Sequence, residues 1–107
     1  MQEKFRVFRS MNYKGKLLKL DRSEEIVILK FEQHLKEEPF SGQPLGYRFF
    51  REKKFDGKRL LFLVYEEHKC VFLITITDKK AQQHEIDMIK SSLDVYRNEL
   101  NEILRNL

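Results

Sequence analysis

Apolar residues recur at short intervals in the central part of the chain, and their spacing predicts three consecutive strands. Residues 47–55 and 58–66 flank Asp56-Gly57, a dipeptide typical of tight β-hairpins because both turn positions favour positive φ. A second turn at 67–69 leads into a third strand at 70–77. The pattern therefore predicts a three-stranded antiparallel meander.

The segment before the meander is ambiguous in its periodicity. Residues 26–29 are continuously apolar, which fits a buried strand as well as one face of a helix. Asp21 is a favourable N-cap, and Glu24 stands where a capping box requires an acidic residue. The cap and the length of the segment favour a helix, which Pro39 ends.

The C-terminal segment has apolar residues at alternating spacings of three and four, which is a heptad pattern. The seam consists of Ile86, Ile89, Leu93, Tyr96, Leu100 and Ile103, and Leu107 extends it. No Pro or Gly interrupts it, so we expect one long helix over 80–106, about 40 Å in length. Such a helix packs on its own sheet, on a second copy of the chain or on another protein.

These elements predict an α+β fold. Residues 5–9 indicate a first strand, and residues 12–20 a short helix or a turn. We expect residues 1–107 to form a single domain with a small antiparallel sheet of one N-terminal strand and the meander. N-terminal helices pack on this sheet, and a long C-terminal helix follows it. The strand at 58–66 is apolar on both faces, so both faces should be covered.

Charge is distributed unevenly along the chain, whose formal net charge is +4. Residues 39–80 carry nine Lys and Arg but only five Asp and Glu, whereas residues 81–107 carry three basic and five acidic residues. The basic excess lies on the predicted sheet. A concentrated basic surface attracts polyanions, although lysine and arginine also serve simply to keep a surface hydrated.

Several classes of site are disfavoured by the composition. Cys70 is the only cysteine and lies within an apolar strand, so we interpret it as a small buried hydrophobic residue. His34, His68 and His84 are widely spaced and have no cysteine pairs near them, which argues against zinc. We expect no metal or organic cofactor, no membrane segment and a cytoplasmic location.

With these elements in place, the chain resembles the RelE/ParE toxin superfamily. Three stretches carry the resemblance: GQPLGYRFF entering a strand, Gly57-Lys58-Arg59-Leu60 beginning the next one, and VFLITITDKK closing the sheet. The resemblance implies a RelE-like toxin of a type II toxin-antitoxin system. Toxins of the RelE branch cut messenger RNA on the ribosome, and members of the ParE branch inhibit DNA gyrase.

The resemblance also implies candidate site residues. The 2′-hydroxyl of one nucleotide attacks the adjacent phosphorus, so fixed cations and one proton-transfer group are needed. The implied catalytic residues are Arg59, Lys80 and His84. Lys80 stands where the family usually has arginine, and His84 occupies the Tyr/His position. The implied RNA-binding residues are Arg48, Arg51, Lys53, Lys54, Lys58 and Lys79.

The implied partners are a cognate antitoxin, the ribosome and messenger RNA, and the heptad seam suggests a homodimer. Two alternatives remain open at this point. In one, the same scaffold acts without catalysis, as a binding module that occupies a protein or nucleic-acid target. In the other, the chain is a dimeric interaction protein whose basic sheet is incidental.

Overall fold

A computed structural model describes residues 4–107 of the protein. Its secondary-structure elements are β1 Arg6–Arg9, α1 Met11–Leu17, α2 Arg22–Glu37, β2 Gln43–Pro44, β3 Phe50–Phe55, β4 Lys58–Tyr65, β5 Cys70–Asp78, α3 Gln82–Ser91 and α4 Leu93–Arg105. The first strand, the helix after Asp21 and the three strands of the meander are confirmed. The ambiguous 12–20 segment begins as α1, and the two-residue β2 lies in a stretch where the sequence predicts only a loop.

The five strands form one sheet in the order β1-β5-β4-β3-β2. The pairs β4–β5, β3–β4 and β2–β3 are antiparallel, but β1 runs parallel to β5, with Arg6 opposite Cys70 and Arg9 opposite Leu73. The sheet is therefore mixed, and the prediction of a purely antiparallel sheet is wrong. A parallel pair needs a long crossover between its strands, and here the chain from α1 to β4 supplies it.

α2 begins as the sequence predicts. The carboxylate of Asp21 accepts the Glu24 amide at 2.8 Å, and the Glu24 side chain accepts the Asp21 amide at 3.1 Å. This reciprocal capping box satisfies two of the backbone donors left free at the helix start. The bond from the Glu24 amide also holds the pKa of the Asp21 carboxyl below its usual range.

Helices cover both faces of the sheet, as the doubly apolar strands require. The α2-side core lies between the sheet and α1 and α2, and it includes Tyr13, Ile28, Phe31, Leu35, Leu60, Phe62 and Val64. The α3-side core lies on the opposite face and includes Phe50, Leu61, Leu63, Phe72, Ile86, Ile89 and Leu100. Successive residues of β4 alternate between these two cores, since side chains alternate across a strand.

The single long C-terminal helix predicted from the heptad seam is wrong, because Ser92 (φ −125°, ψ 23°) separates α3 from α4. A straight helix of about 40 Å would extend beyond a molecule whose dimensions are 33 × 31 × 26 Å. The break allows both halves to lie on the sheet. The heptad residues face the chain's own core, with Ile86, Ile89 and Leu100 at most 6% exposed, so this seam is not a free surface for a homodimer.

A buried carboxylate joins the N-terminal elements to one another. Glu32 of α2 is 6% exposed and accepts two bonds from the Arg9 guanidinium, at 3.1 and 2.8 Å. It also accepts the Tyr13 hydroxyl at 2.6 Å. Burial and this hydrogen bond raise the pKa of Tyr13 well above its usual range. One side chain therefore links β1, α1 and α2.

We expect replacement of these partners to destabilise the fold in a graded way. Tyr13→Phe should lower the free energy of unfolding by about 1–2 kcal/mol, because it removes one charge-assisted hydrogen bond. Glu32→Gln should lower it by about 2–4 kcal/mol, because it leaves Arg9 without its counter-charge. The matched control is Glu25→Gln in the exposed Arg22–Glu25 pair. It should change the free energy of unfolding by less than about 0.5 kcal/mol. Urea denaturation measures all three, and equal effects of Glu32→Gln and Glu25→Gln would contradict the linking role of Glu32.

Candidate functional site

The pleat of the sheet divides the predicted basic residues between its two faces. Lys54 and Arg59 are cross-strand partners on β3 and β4. Arg59 lies two residues before Leu61, whose side chain is in the α3-side core, so this pair faces α3. The neighbouring Lys53 and Lys58 face α2 instead. The basic run of the sequence is therefore two separate groups in the fold.

Arg59 lies at the start of β4, between Lys54 on one side and Thr77 of β5 on the other. Its Nε is buried and has no hydrogen-bond partner among residues 4–107. Its Nη1 makes only a long bond of 3.4 Å to the Lys58 carbonyl. Within the same residues no carboxylate lies at ion-pair distance from the guanidinium. Arg59 therefore has hydrogen-bonding capacity that no group in the described part of the chain uses.

Glu52 is a site residue that the sequence reasoning missed. Its side chain is 4% exposed, it is opposite Leu61 in the sheet, and it lies on the same face as Lys54 and Arg59. The Gln82 side-chain amide donates to one carboxylate oxygen, and Lys54 Nζ lies 3.9 Å from the other. The alternation of side chains along β3 could have located Glu52 from the sequence, because it places Glu52 between Phe50 and Lys54 on one face. A carboxylate thus stands beside the two cations.

Thr75 adds a buried hydroxyl to this group. It is opposite Leu61 in β4, and its Oγ1 has no partner within the described residues. Buried polar atoms are usually paired, so this hydroxyl is an exception within the sheet. We call the six residues on this part of the sheet the Arg59 site: Glu52, Lys54, Arg59, Thr75, Thr77 and Gln82.

The turn into α3 separates the remaining predicted catalytic residues from one another. Lys79 and Lys80 are exposed between β5 and α3, and neither has an ion-pair partner in the region that the structure describes. Gln82 begins α3 and points to Glu52, whereas His84 lies two residues later, about 200° further around the helix. His84 is exposed. The structure thus leaves both lysines exposed in the turn before α3 and His84 on the side of α3 away from Gln82.

The other predicted RNA-binding residues have partners within the protein. Lys58 forms an ion pair with Glu24, whose hydrogen bond raises the pKa of Lys58, while the same bond lowers the pKa of Glu24. Lys53 Nζ lies 5.3 Å from the centroid of the Phe31 ring. Both lie on the α2 side of the sheet, so neither reaches the Arg59 site.

Arg48 and Arg51 lie near the opposite end of the sheet. The Arg48 guanidinium stacks over Phe40 at 3.7 Å and pairs with Glu66 at 2.7 Å. Arg51 donates to the carbonyls of Ser41, Arg48 and Gly42 at 3.0–3.2 Å. Burial, followed by the charge of Arg48, lowers the pKa of Arg51. Its bonds close the loop between α2 and β3.

A second concave region opens between the end of β4 and the start of α4. It has a volume of about 370 Å³, and its lining includes Phe49, Val64, Tyr65, Leu93 and Arg97. Arg97 bonds Glu67 at 3.0 Å and lies over the Tyr65 ring at 5.1 Å. Burial raises the pKa of Tyr65 to about 12. This cavity lies at the opposite end of β4 from Arg59.

Comparison with solved structures identifies the fold. The chain is similar to E. coli RelE toxin, in a mutant form in the free state, with a TM-score of 0.66 at 18% identity over 94% of this chain and 98% of that one. The intact E. coli RelBE toxin-antitoxin complex matches at 0.64 and 19% identity, over 69% and 95% of the two chains. The toxin-antitoxin complex RelBE2 from Mycobacterium tuberculosis matches at 0.62 and 21% identity, over 71% and 99%.

The chain therefore has the RelE-like fold, and the structural likeness expected from its sequence is confirmed. No protein-family model matches the chain, and no curated protein matches it at significance. Among the described residues, no helix combines the length and the hydropathy that a membrane crossing requires.

The bonds of Arg51 lead to a prediction that separates a structural role from RNA binding. Arg51→Lys should lower the free energy of unfolding by about 1–2 kcal/mol and speed amide exchange in the 42–48 loop, because lysine cannot reach three carbonyls at once. The control Lys30→Gln removes an exposed charge that has no ion-pair partner among residues 4–107, and it should change stability by less than about 0.5 kcal/mol. Unchanged stability and exchange in Arg51→Lys, together with weaker RNA binding, would support the RNA-binding interpretation instead.

Proposed function

We propose that this protein is a RelE-like toxin, a ribosome-dependent endoribonuclease that cuts messenger RNA in the cytoplasm and is neutralised by a cognate antitoxin. The observation that carries the proposal is the Arg59 site itself. An arginine without a counter-charge stands beside a lysine and a buried carboxylate on one exposed end of the sheet. The RelE-like fold and the complexes that similar toxins form with antitoxins support it.

In the proposed reaction the substrate is ribosome-bound RNA, and residues of this chain transfer the protons. The 2′-oxygen loses its proton and attacks the adjacent phosphorus, forming a 2′,3′-cyclic phosphate. The bond from phosphorus to the 5′-oxygen breaks, and the leaving oxygen takes up a proton. Negative charge grows on the phosphoryl oxygens in between, and in this proposal Arg59 and Lys54 stabilise that charge. In this proposal Lys80 and Lys79, exposed in the turn after β5, add positive charge for the RNA backbone.

Two residues are candidates for the proton transfer. Glu52 shares the sheet face with Arg59, and its carboxylate is held by Gln82, so it is the better placed base. Lys54, 3.9 Å from that carboxylate, is the nearest donor for the leaving oxygen. His84, which the sequence resemblance suggests, would have to act from the outer side of α3. We therefore assign the base to Glu52 and leave His84 as the competing assignment.

Cleavage of ribosome-bound message by purified variants tests these assignments. Arg59→Ala should lower the cleavage rate by about 10²–10³-fold, because it removes a donor to the developing charge. Glu52→Gln should lower it by about 10²–10⁴-fold, because the amide cannot accept the proton. His84→Gln should change it by less than about threefold. Lys53→Gln, on the α2 side of the same strand, is the matched control and should cleave like wild type.

Loss of cleavage in His84→Gln with full activity in Glu52→Gln would reverse the assignment of the base. If the wild-type protein cleaves no message on ribosomes, the proposed endoribonuclease activity is wrong.

A non-catalytic binding module on the same scaffold is the second candidate. The observation favouring it is the incomplete basic set, because Lys80 stands where the family usually has arginine and His84 is exposed on the side of α3 away from Gln82. In this case expression of Arg59→Ala should arrest growth as strongly as wild type, and message should stay intact in both strains. Growth arrest that depends on Arg59 and coincides with message cleavage would exclude it.

A further inference from the structure

Two aromatic side chains near the β2–β3 connection lie outside both cores. Tyr47 and Phe49 are 44% and 38% exposed. Their rings stack on each other, with centroids 4.8 Å apart and an angle of 17° between the ring planes. The next residue, Phe50, is fully buried, so the strand that follows is anchored while the two rings remain at the surface. The pair is thus a preformed aromatic surface.

A lysine lies beside this surface, in space that a glycine leaves open. Lys90, near the end of α3, places its Nζ 5.8 Å from the centroid of the Tyr47 ring. Gly46 has φ +89°, and a Cβ at this position would lie 2.6 Å from Lys90 Nζ. Any larger residue would force the ammonium group away from its present place. Lys90 is exposed and has no ion-pair partner among residues 4–107.

The loop that carries the rings is also fixed. Besides the three bonds from Arg51, the Leu45 amide donates to the Phe50 carbonyl at 2.7 Å, and the Val64 amide donates to the Phe49 carbonyl at 2.8 Å. The rings are therefore ordered before any ligand arrives, which lowers the entropy lost on binding.

We propose that Tyr47, Phe49 and Lys90 form a nucleotide subsite, in which a base of single-stranded RNA stacks on the aromatic pair and Lys90 contacts its phosphate. Exposed aromatic faces beside a cation are the arrangement that binds unpaired bases, because every base offers a π-face and every linkage a negative charge. This inference rests on the proposed function for its choice of RNA as ligand.

The subsite is separate from the Arg59 site. Arg59 lies at the start of β4, and Val64, which bonds Phe49, lies five residues further along, a distance of about 16 Å. α3 connects the two, since Gln82 at its start reaches Glu52 and Lys90 near its end reaches Tyr47. A strand of RNA along α3 would be held at a point remote from the reacting phosphate.

Binding of an uncleavable oligonucleotide tests the subsite without involving catalysis. The probe is a fluorescent 2′-O-methyl RNA of about ten nucleotides, which lacks the attacking hydroxyl, and fluorescence anisotropy gives its dissociation constant. The double variant Tyr47→Ala/Phe49→Ala should bind about 5- to 100-fold more weakly. Tyr47→Phe should bind like wild type, because it keeps the ring.

The charge on Lys90 can be tested through the salt dependence of RNA binding. Lys90→Gln should weaken binding and reduce the slope of log affinity against log salt by about 0.7, the value for one contact with single-stranded phosphate. The matched control is Lys30→Gln on α2, across the sheet from this surface, with an expected slope like that of wild type. Leu18→Ala, which removes an exposed apolar side chain elsewhere, should keep the wild-type affinity.

The outcomes distinguish this proposal from the enzymatic one. If the oligonucleotide does not bind wild type, or if the double variant binds it as tightly as wild type does, the subsite is refuted, even where message cleavage is intact. If affinity falls in the double variant while the wild-type protein cleaves no message on ribosomes, the subsite stands and the enzymatic function fails. If Lys30→Gln and Lys90→Gln weaken binding equally, the effect of Lys90 is due to the net charge of the protein. That result would contradict the proposed contact between Lys90 and the phosphate.

Discussion

The fold depends on two adjacent strands, β4 and β5, that are apolar on both faces. Leu60 and Leu61 are neighbours in sequence and both are fully buried, one in each core. A sheet of this kind is stable only if helices exclude water from both sides, and the burial of its side chains contributes about 1.5–3 kcal/mol for each large residue. The N-terminal helices cover one face, and α3 and α4 must therefore cover the other.

The need to cover both faces of the sheet restricts where polar side chains can form a site. Ile86 and Ile89 of α3 and Leu100 of α4 pack on one face of the sheet, and the two candidate sites lie near opposite ends of β4. At one end Arg59 emerges from β4 next to Lys54, and at the other Tyr47 and Phe49 lie beside the end of the same strand. The position of α3 between the two ends explains why its first and its penultimate residues both contact them. The arrangement of the helices and the positions of the candidate sites therefore both follow from the burial of the two faces of the sheet.

Local signals in the sequence were sufficient for much of the fold. The capping box at Asp21 and the alternation along β4 predict their structures correctly, because each depends on neighbours close in the chain. The parallel pairing of β1 and the break at Ser92 depend on how distant segments pack, and the heptad spacing continues through the break without interruption. In the site, the candidate Arg59 came from the family resemblance of the segment after the hairpin, and its role stays a prediction. The bonds of Arg51 to loop carbonyls and the orientation of His84 were not predictable from the sequence.

Glu52 differs from the other buried carboxylates of the protein in how its charge is compensated. Glu24 and Glu32 are about as deeply buried, but each has a direct ion pair and a further hydrogen bond. Glu52 has one side-chain amide and a lysine at the limit of ion-pair distance. Removing a carboxylate from water without a close counter-charge costs stability, and proteins tolerate such costs mainly where function requires them. The incomplete pairing of Glu52 therefore supports the proposal that Glu52 acts as the base.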